Sequence, residues 1–348
     1  MRGQRKDEHL QLALKTADGP DRNGFADIAL VPDAVPELNL DDIDLGTHFL
    51  GKILGWPIII NAMTGGTGEA KMINHKLASL AAKYNLAMAV GSQTVALEDR
   101  QLTESFTVAR EANPHGILIA NVSANCPAEK ALQAVQMIAA DGLQLHFNLP
   151  QELAMGEGDR HFRGMLDNLN EIVVKCPVPV IAKEVGFGFA RESVAKIHAR
   201  GINIFDCSGK GGTNFMAIED QRGGMFDQNF YDWGISTAAS LAEIVAMQMP
   251  IQVVASGGIR SAVDSAKALA LGADMVGISG FFLKILLNDG YAELERKWER
   301  FLYQIKAVFL MTGASNCMEI RKKPLLIFDR TAQWMKLRDI DPAQWSSR

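Results

Sequence analysis

The segment HFNLPQE, residues 146–152, carries the densest set of groups able to do chemistry. His146 and Asn148 are two apart, so on a strand their side chains point the same way. Gln151 and Glu152 read as loop residues beyond that strand. Glu152 has the chemistry to bind a hard cation such as Mg2+, which takes oxygen ligands and helps hold substrate phosphates; an exposed loop glutamate is the alternative. Lys183 ends the apolar run VPVIAK. A lysine turned into an apolar interior is costly unless an anion meets it; turned outward it is merely solvated.

Glycine-rich turns supply a second kind of chemistry. SGGIR (256–260) and GISG (277–280) let backbone N–H groups approach a phosphate, with a helix N-terminus adding its dipole. SGKGGT (208–213) and NAMTGGTG (61–68) have the same character, though each alone also fits an ordinary tight turn. Near the start, Arg5, Lys6 and His9 are suited to a diphosphate or to a solvated helix start, and Arg160, His161 and Arg163 are equally ambiguous. Cys207 has no recognisable base beside it and reads as a buried structural thiol.

These residues fall at the ends of a recurring unit. Short runs apolar on both faces, as parallel strands are, occur at 57–61, 86–90, 116–121, 143–147, 178–183, 202–206, 251–255 and 274–278. Helical patterns lie between them, among them 70–83, 127–140 with Pro127 in its first turn, 261–271 ended by Gly272, and 290–311. Eight such units predict an α/β fold, a (β/α)8 TIM barrel in a single domain spanning 1–348. Residues 1–50 form an N-terminal arm and barrel-closing segment, 51–311 the barrel, and 312–348 a C-terminal tail. An open doubly wound sheet is the alternative. In a barrel, function gathers where the strands end, and those ends are Asn61–Thr64, Ser92–Thr94, Asn121, His146–Asn148, Lys183, Asp206–Thr213, Ser256–Arg260 and Ser279–Gly280.

The chain has 348 residues, a net charge of −5 and 48% hydrophobic residues. So mild a charge gives no electrostatic reason to expect nucleic acid or a membrane surface as partner. Four scattered cysteines form no CxxC pair, and the first residues lack an apolar signal segment, so the expected location is the reducing cytoplasm.

In order along the chain, RKDEH, MTGG, VGSQ, ANVSAN, HFNLPQE, KEVGFG, SGKGGT, ASGGIR and GADMVGISG resemble the type 2 isopentenyl-diphosphate isomerases, over essentially the whole length. The resemblance implies FMN contacts at Ala62, Met63, Thr64, Ser92, Asn121, Lys183, Ser208, Thr213, Gly258, Ile259, Arg260, Ser279 and Gly280. It implies substrate contacts at Arg5, Lys6, His9 and Gln151, with Ser92, Gln93, Thr94 and Asn148 close by, and Mg2+ at Glu152. His146, Gln151 and Lys183 are the candidate catalytic residues. It further implies NADPH or NADH as reductant, a homotetramer or homo-octamer, and transfer of a double bond between isopentenyl and dimethylallyl diphosphate. Two departures stand out. Thr213-Asn214-Phe215 replaces a stretch where members often carry Trp, and HFNLPQE replaces the commoner HLNPLQE.

Other flavin barrels fit less well. A hydroxyacid oxidase needs a histidine in the loop after strand six, where this chain has SGKGGT. A nucleotide dehydrogenase of the inosine-monophosphate type needs its cysteine later than Cys207. A non-catalytic flavin sensor would have little use for so dense a polar rim.

Overall fold

The computed structural model describes Leu12 and residues 23–348. Eight parallel strands close into a barrel in chain order: β1 (Ile58–Ile60), β2 (Ala87–Ala89), β3 (Leu118–Ser123), β4 (Gly142–Phe147), β5 (Val180–Glu184), β6 (Ile204–Asp206), β7 (Gln252–Ser256) and β8 (Met275–Ile278). Closure is made by β8 on β1, with Gly277 opposite Ile59. The barrel expectation holds, and the open sheet does not.

Strand alternation divides the side chains into two sets. Ile58, Ile60, Met88, Leu118 and Ala120 face outward and pack with the helices. Ile59, Ala87, Ala89, Ile119, Ile181, Ile204, Val254 and Met275 face inward. Two residues further along, at the same inward parity, the chain turns polar: Asn61, Asn121, Lys183, Asp206 and Ser256. The lower barrel is therefore apolar and the upper barrel polar. A hairpin of Thr47–Phe49 and Lys52–Leu54 plugs the lower end. Its Phe49 and Leu54 join the inner apolar cluster, and a Cβ on Gly142 would come within 2.7 Å of Leu50.

The helices fall between the strands much as their periodicity suggests. Gly68–Tyr84 starts at Thr67, whose side chain accepts from the Ala70 N–H, and Ala262–Leu271 ends at Gly272 with φ 133°. Pro127 takes the cap position before Ala128–Met137 rather than the first turn. One expectation is corrected: Gln151 and Glu152 lie on the short helix Leu149–Ala154, with Pro150 in its first turn, and not on a loop. The segments before and after the barrel meet, because Ile28–Leu30 pairs antiparallel with Leu325–Ile327. The tail is less polar in contact than in composition, since Trp345 is buried and donates to the Leu271 carbonyl at 2.9 Å.

Two buried carboxylates tie connections to the barrel. Glu243 accepts from Trp334 Nε1 (2.8 Å), Arg338 Nε (2.9 Å) and the Arg191 N–H (2.9 Å), pinning the C-terminal helix Asp329–Leu337 against Thr237–Ala246. Glu184, the last residue of β5, accepts through one oxygen from the N–H groups of Val185, Gly186, Phe187 and Gly188 at 2.6–3.2 Å. Burial pushes its carboxyl from the ordinary 4.5 up to about 7, against the opposing pull of those donors and of Lys183.

Replacing Glu243 by Ala strands an arginine, an indole and a backbone donor. It should cost about 3 kcal/mol in denaturant unfolding, and a midpoint unchanged from wild type would remove this anchor from the account. For Glu184 the native state holds a proton that the unfolded chain has already released between pH 4.5 and 7. Its contribution is full below that window and is lost as pH rises through it. Unfolding free energy measured from pH 4.5 to 7 should therefore fall with this component, and Glu184→Gln should flatten it.

Candidate active site

A cavity of about 550 Å3 opens at the C-terminal ends of the strands, within the usual range for small-molecule sites. Each strand end contributes to it. Ala62, Met63 and Thr64 follow β1, and Ser92 and Thr94 follow β2. Asn121 comes from β3, and His146 from β4. Asn148, Gln151 and Glu152 follow β4, and Lys183 comes from β5. Ser208 and Thr213 follow β6; Gly258, Ile259 and Arg260 follow β7; Ser279 and Gly280 follow β8.

Gln93 is the exception among the described residues expected here. It is buried away from the cavity, donating to the Ala134 carbonyl (2.9 Å) and accepting from the Asn121 N–H (3.0 Å). Its neighbours in sequence do face the cavity, with the Ser92 and Thr94 hydroxyls 3.1 Å apart. Arg5, Lys6 and His9 lie outside the described residues.

The cavity floor is a layer of polar side chains inside the barrel. Asp206, fully buried, accepts from Asn61 Nδ2 (2.6 Å), Ser256 Oγ (2.5 Å) and the Ser208 N–H (3.2 Å). Lys183 Nζ lies 3.9 Å from Asp206 and donates to Ser208 Oγ (3.0 Å) and the Glu184 carbonyl (2.6 Å). The lysine thus points inward with an anion beside it. Asn61 in turn accepts from Gln144 Nε2 (3.0 Å), Gln144 accepts from Asn121 Nδ2 (3.2 Å), and Asn121 Oδ1 is 2.8 Å from His146 Nδ1. Gln144 carried no warning beyond being the one polar residue in LQL, at the inward parity it shares with His146.

One wall suits an anion. An added Cβ on Gly258 would lie 2.1 Å from the Gly211 carbonyl, and one on Gly257 2.2 Å from the Gly209 carbonyl. Only glycine lets these two loops pack so closely, and both have positive φ. Arg260 bridges them, donating to the carbonyls of Gly258 (3.0 Å) and Gly211 (2.6 Å). The helix Gly280–Asn288 begins at this wall, where first-turn N–H groups have no partner within the helix. Nothing stands within 4 Å of a Cβ built on Gly280. Met63, Val95, Phe215, Ile259 and Phe281 add apolar surface. A phosphate at the glycine wall, a flat ring system over the apolar residues and a cation at Lys183 together fit FMN.

On the opposite wall, Glu152 accepts from Asn148 Nδ2 and from the Asp159 N–H, each at 2.8 Å, one on each oxygen. A carboxylate has about four lone-pair sites, so each oxygen keeps one for a cation. Among the described residues no group of three His, Cys, Asp or Glu forms a metal site. A Mg2+ here would take one carboxylate, with the rest of its shell from water and phosphate. Gln151 donates to Glu219 Oε1 at 3.1 Å, which sets which way its amide faces. Arg160 is committed to the carbonyls of Glu152, Met155, Gly158 and Asp159, while His161 and Arg163 are exposed. Cys207 is buried with its thiol pushed up to about 12, chiefly by burial, and is inert.

The family model for FMN-dependent dehydrogenases matches residues 126–326. Among solved structures, a flavocytochrome b2 variant with pyruvate bound superposes with a TM-score of 0.68 at 19% identity, covering 91% of this chain and 82% of that one. At that identity the likeness shows the fold alone. Sequence similarity reaches further. The isopentenyl-diphosphate delta-isomerase of Listeria innocua is 42% identical over 350 residues, covering all of this chain and 98% of its own. That of Moorella thermoacetica is 48% identical over 338 residues, 97% of each chain. Such identity over nearly full length, on a barrel whose mouth fits a flavin, means that the chain belongs to the isopentenyl-diphosphate delta-isomerases of the flavin-dependent type 2 family.

Proposed function

We propose that this protein interconverts isopentenyl diphosphate and dimethylallyl diphosphate by a 1,3-allylic proton shift, with reduced FMN as acid/base cofactor. The observation that carries the reading is one cavity in which a glycine-lined anion wall and a buried lysine face His146, Asn148, Gln151 and Glu152. The reaction adds a proton at the terminal alkene carbon and removes one from C2, so atoms and charge balance without net oxidation. An alkene is a poor base, and its protonation needs a well-placed acid and shielding of developing positive charge. Reduced FMN, when bound, supplies a proton-transfer site and an electron-rich ring.

The chain's own residues do the positioning. Lys183, held by Ser208 and the Glu184 carbonyl, would offer its cation to the negative charge of the reduced cofactor. Ala62, Met63, Thr64, Ser92 and Asn121 would hold the ring, and Ser208, Thr213, Gly258, Ile259, Arg260, Ser279 and Gly280 would hold the remainder of the cofactor. Glu152 would hold Mg2+, whose charge would help bind the substrate diphosphate, and Asn148 keeps that carboxylate in place. Gln151, its amide oriented by Glu219, keeps the hydrocarbon end close to the ring. Ser92 and Thr94 line the same space, and Arg5, Lys6 and His9, which lie outside the described residues, would bind the diphosphate. The whole chain works as one unit in a cytoplasmic homotetramer or homo-octamer, with NADPH or NADH reducing the flavin.

The direct test is anaerobic incubation with FMN, Mg2+, NADPH and isopentenyl diphosphate. Dimethylallyl diphosphate should form and should vanish without flavin or reductant; no product from demonstrably reduced holoprotein would end the isomerase reading. Lys183→Ala should lower kcat by on the order of 10²-fold, as loss of a single preorganised charge donor does, and should weaken FMN binding measured by fluorescence titration. Glu152→Gln should raise the Mg2+ needed for half-maximal rate by about tenfold or more, matching one charge-assisted contact of ~1.5 kcal/mol or above. An unchanged Mg2+ titration would move the metal elsewhere.

A further inference from the structure

We infer that Asn61 and Gln144, neither of which lines the cavity, are positioning residues that fix the proton of His146 on Nδ1 through a one-way chain of hydrogen bonds. The consequence for turnover rests on the function proposed above; the position of the proton does not.

One contact in the chain involves a group whose role is beyond choice. The Ala62 backbone N–H, which can only donate, lies 2.9 Å from Asn61 Oδ1. That contact identifies the oxygen end of the Asn61 amide, so its NH2 faces Asp206 Oδ2 at 2.6 Å. A reversed amide would set NH2 against N–H and oxygen against carboxylate. With Asn61 Oδ1 an acceptor, the Gln144 atom 3.0 Å from it must be the NH2. Gln144 Oε1 therefore accepts from Asn121 Nδ2 at 3.2 Å. The other end of the Asn121 amide, Oδ1, faces His146 Nδ1 at 2.8 Å. An amide oxygen only accepts, so Nδ1 must carry a hydrogen.

The far end of the chain agrees. Asp206 accepts from Ser256 Oγ and the Ser208 N–H with its other oxygen, and the Lys183 cation stands 3.9 Å away. The chain thus runs from an acceptor on β6 through β1, β4 and β3 back to β4. Space is kept for it: a Cβ on Gly277 would lie 2.6 Å from Asn61 Nδ2. In the neutral ring the second nitrogen, Nε2, is then the lone-pair nitrogen. His146 lines the cavity, and there its neutral ring carries an acceptor at Nε2 and not an N–H donor.

The test uses the full-length, FMN-loaded protein with 15N-labelled histidine rings. Long-range 1H–15N spectra distinguish the two tautomers, and a His146→Asn variant identifies the signal among the seven histidines. Neutral His146 should show the Nδ1–H pattern. Gln144→Met keeps the side chain's length without its amide, and should shift His146 to the Nε2–H form or a mixture. Gln144→Glu, whose protonated acid donates to Asn61 and accepts from Asn121, should restore the wild-type pattern. With substrate, Gln144→Met should lower kcat while KM for isopentenyl diphosphate stays within about twofold, as expected when a group acts on the reacting atoms and not on binding. An Nε2–H pattern in wild type would overturn the inference even if neither Gln144 variant folds. So would an Nδ1–H pattern that survives Gln144→Met. Absence of isomerase activity with the Nδ1–H pattern present would instead sink the proposed function and leave the proton assignment standing.

Discussion

Asp206 is a carboxylate with no access to water, in the middle of a parallel barrel. Burying such a charge is tolerable only if its oxygens are fully supplied with donors and an opposite charge stands near. The upper barrel can be understood as the answer to that demand. Asn61, Ser256 and the Ser208 N–H reach it, and Lys183 supplies the charge. Each of those groups comes from a different strand end, so the carboxylate requires β1, β5, β6 and β7 to meet in one register. A slip of one residue on any strand would swap an inward polar group for an outward apolar one.

The same demand shapes the cavity above. Lys183 cannot turn to solvent without leaving Asp206 short of a cation, so its ammonium stays at the cavity floor whatever occupies the space above it. The Ser208 hydroxyl is held by the lysine while its N–H is held by the aspartate, which fixes the first turn of the 208–213 loop. That loop packs directly on Gly257 and Gly258, so the anion wall inherits its position from the buried charge. Glu184 does the same for the next loop with four backbone donors, leaving Val185 and Gly186 on the cavity surface. Among the described residues Glu152 accepts from only one amide and one backbone N–H, both on its own connection. The two walls differ accordingly: one is built into the barrel, the other is carried by the connection after β4.

Much of this was legible in the chain because β-strands have a period of two. The pairs Ile59 and Asn61, Ile119 and Asn121, Ile181 and Lys183, Ile204 and Asp206, Val254 and Ser256 each repeat an apolar residue followed at the same parity by a polar one. That pattern announces a barrel with an apolar lower half and a working upper end. What parity cannot give is direction beyond the last strand residue. Gln93 follows β2 in a turn, and its side chain leaves the cavity to hold Asn121. Gln151 and Glu152 belong to a six-residue helix, too short to show a period and opened by a proline that also suits a loop. Gln144 sat within an apolar strand with no motif around it, and its importance comes only from neighbours on β1 and β3 that lie far away in sequence.

The polar layer also explains how a fold made of amides specifies anything so small as a proton. An Asn or Gln amide has nearly the same shape in either orientation, so packing alone does not choose one. The choice must come from groups that cannot reverse, and here those are backbone N–H groups. Ala62 orients Asn61, and the Asn121 N–H orients Gln93. Ala62 follows directly on Asn61, whose own N–H completes the β8–β1 seam by bonding to Ile278. Closing the barrel and orienting its polar side chains are therefore one event. The lower half, plugged by Phe49 and Leu54, supplies apolar burial. The upper half spends some of that stability on a layer whose hydrogen bonds admit one arrangement.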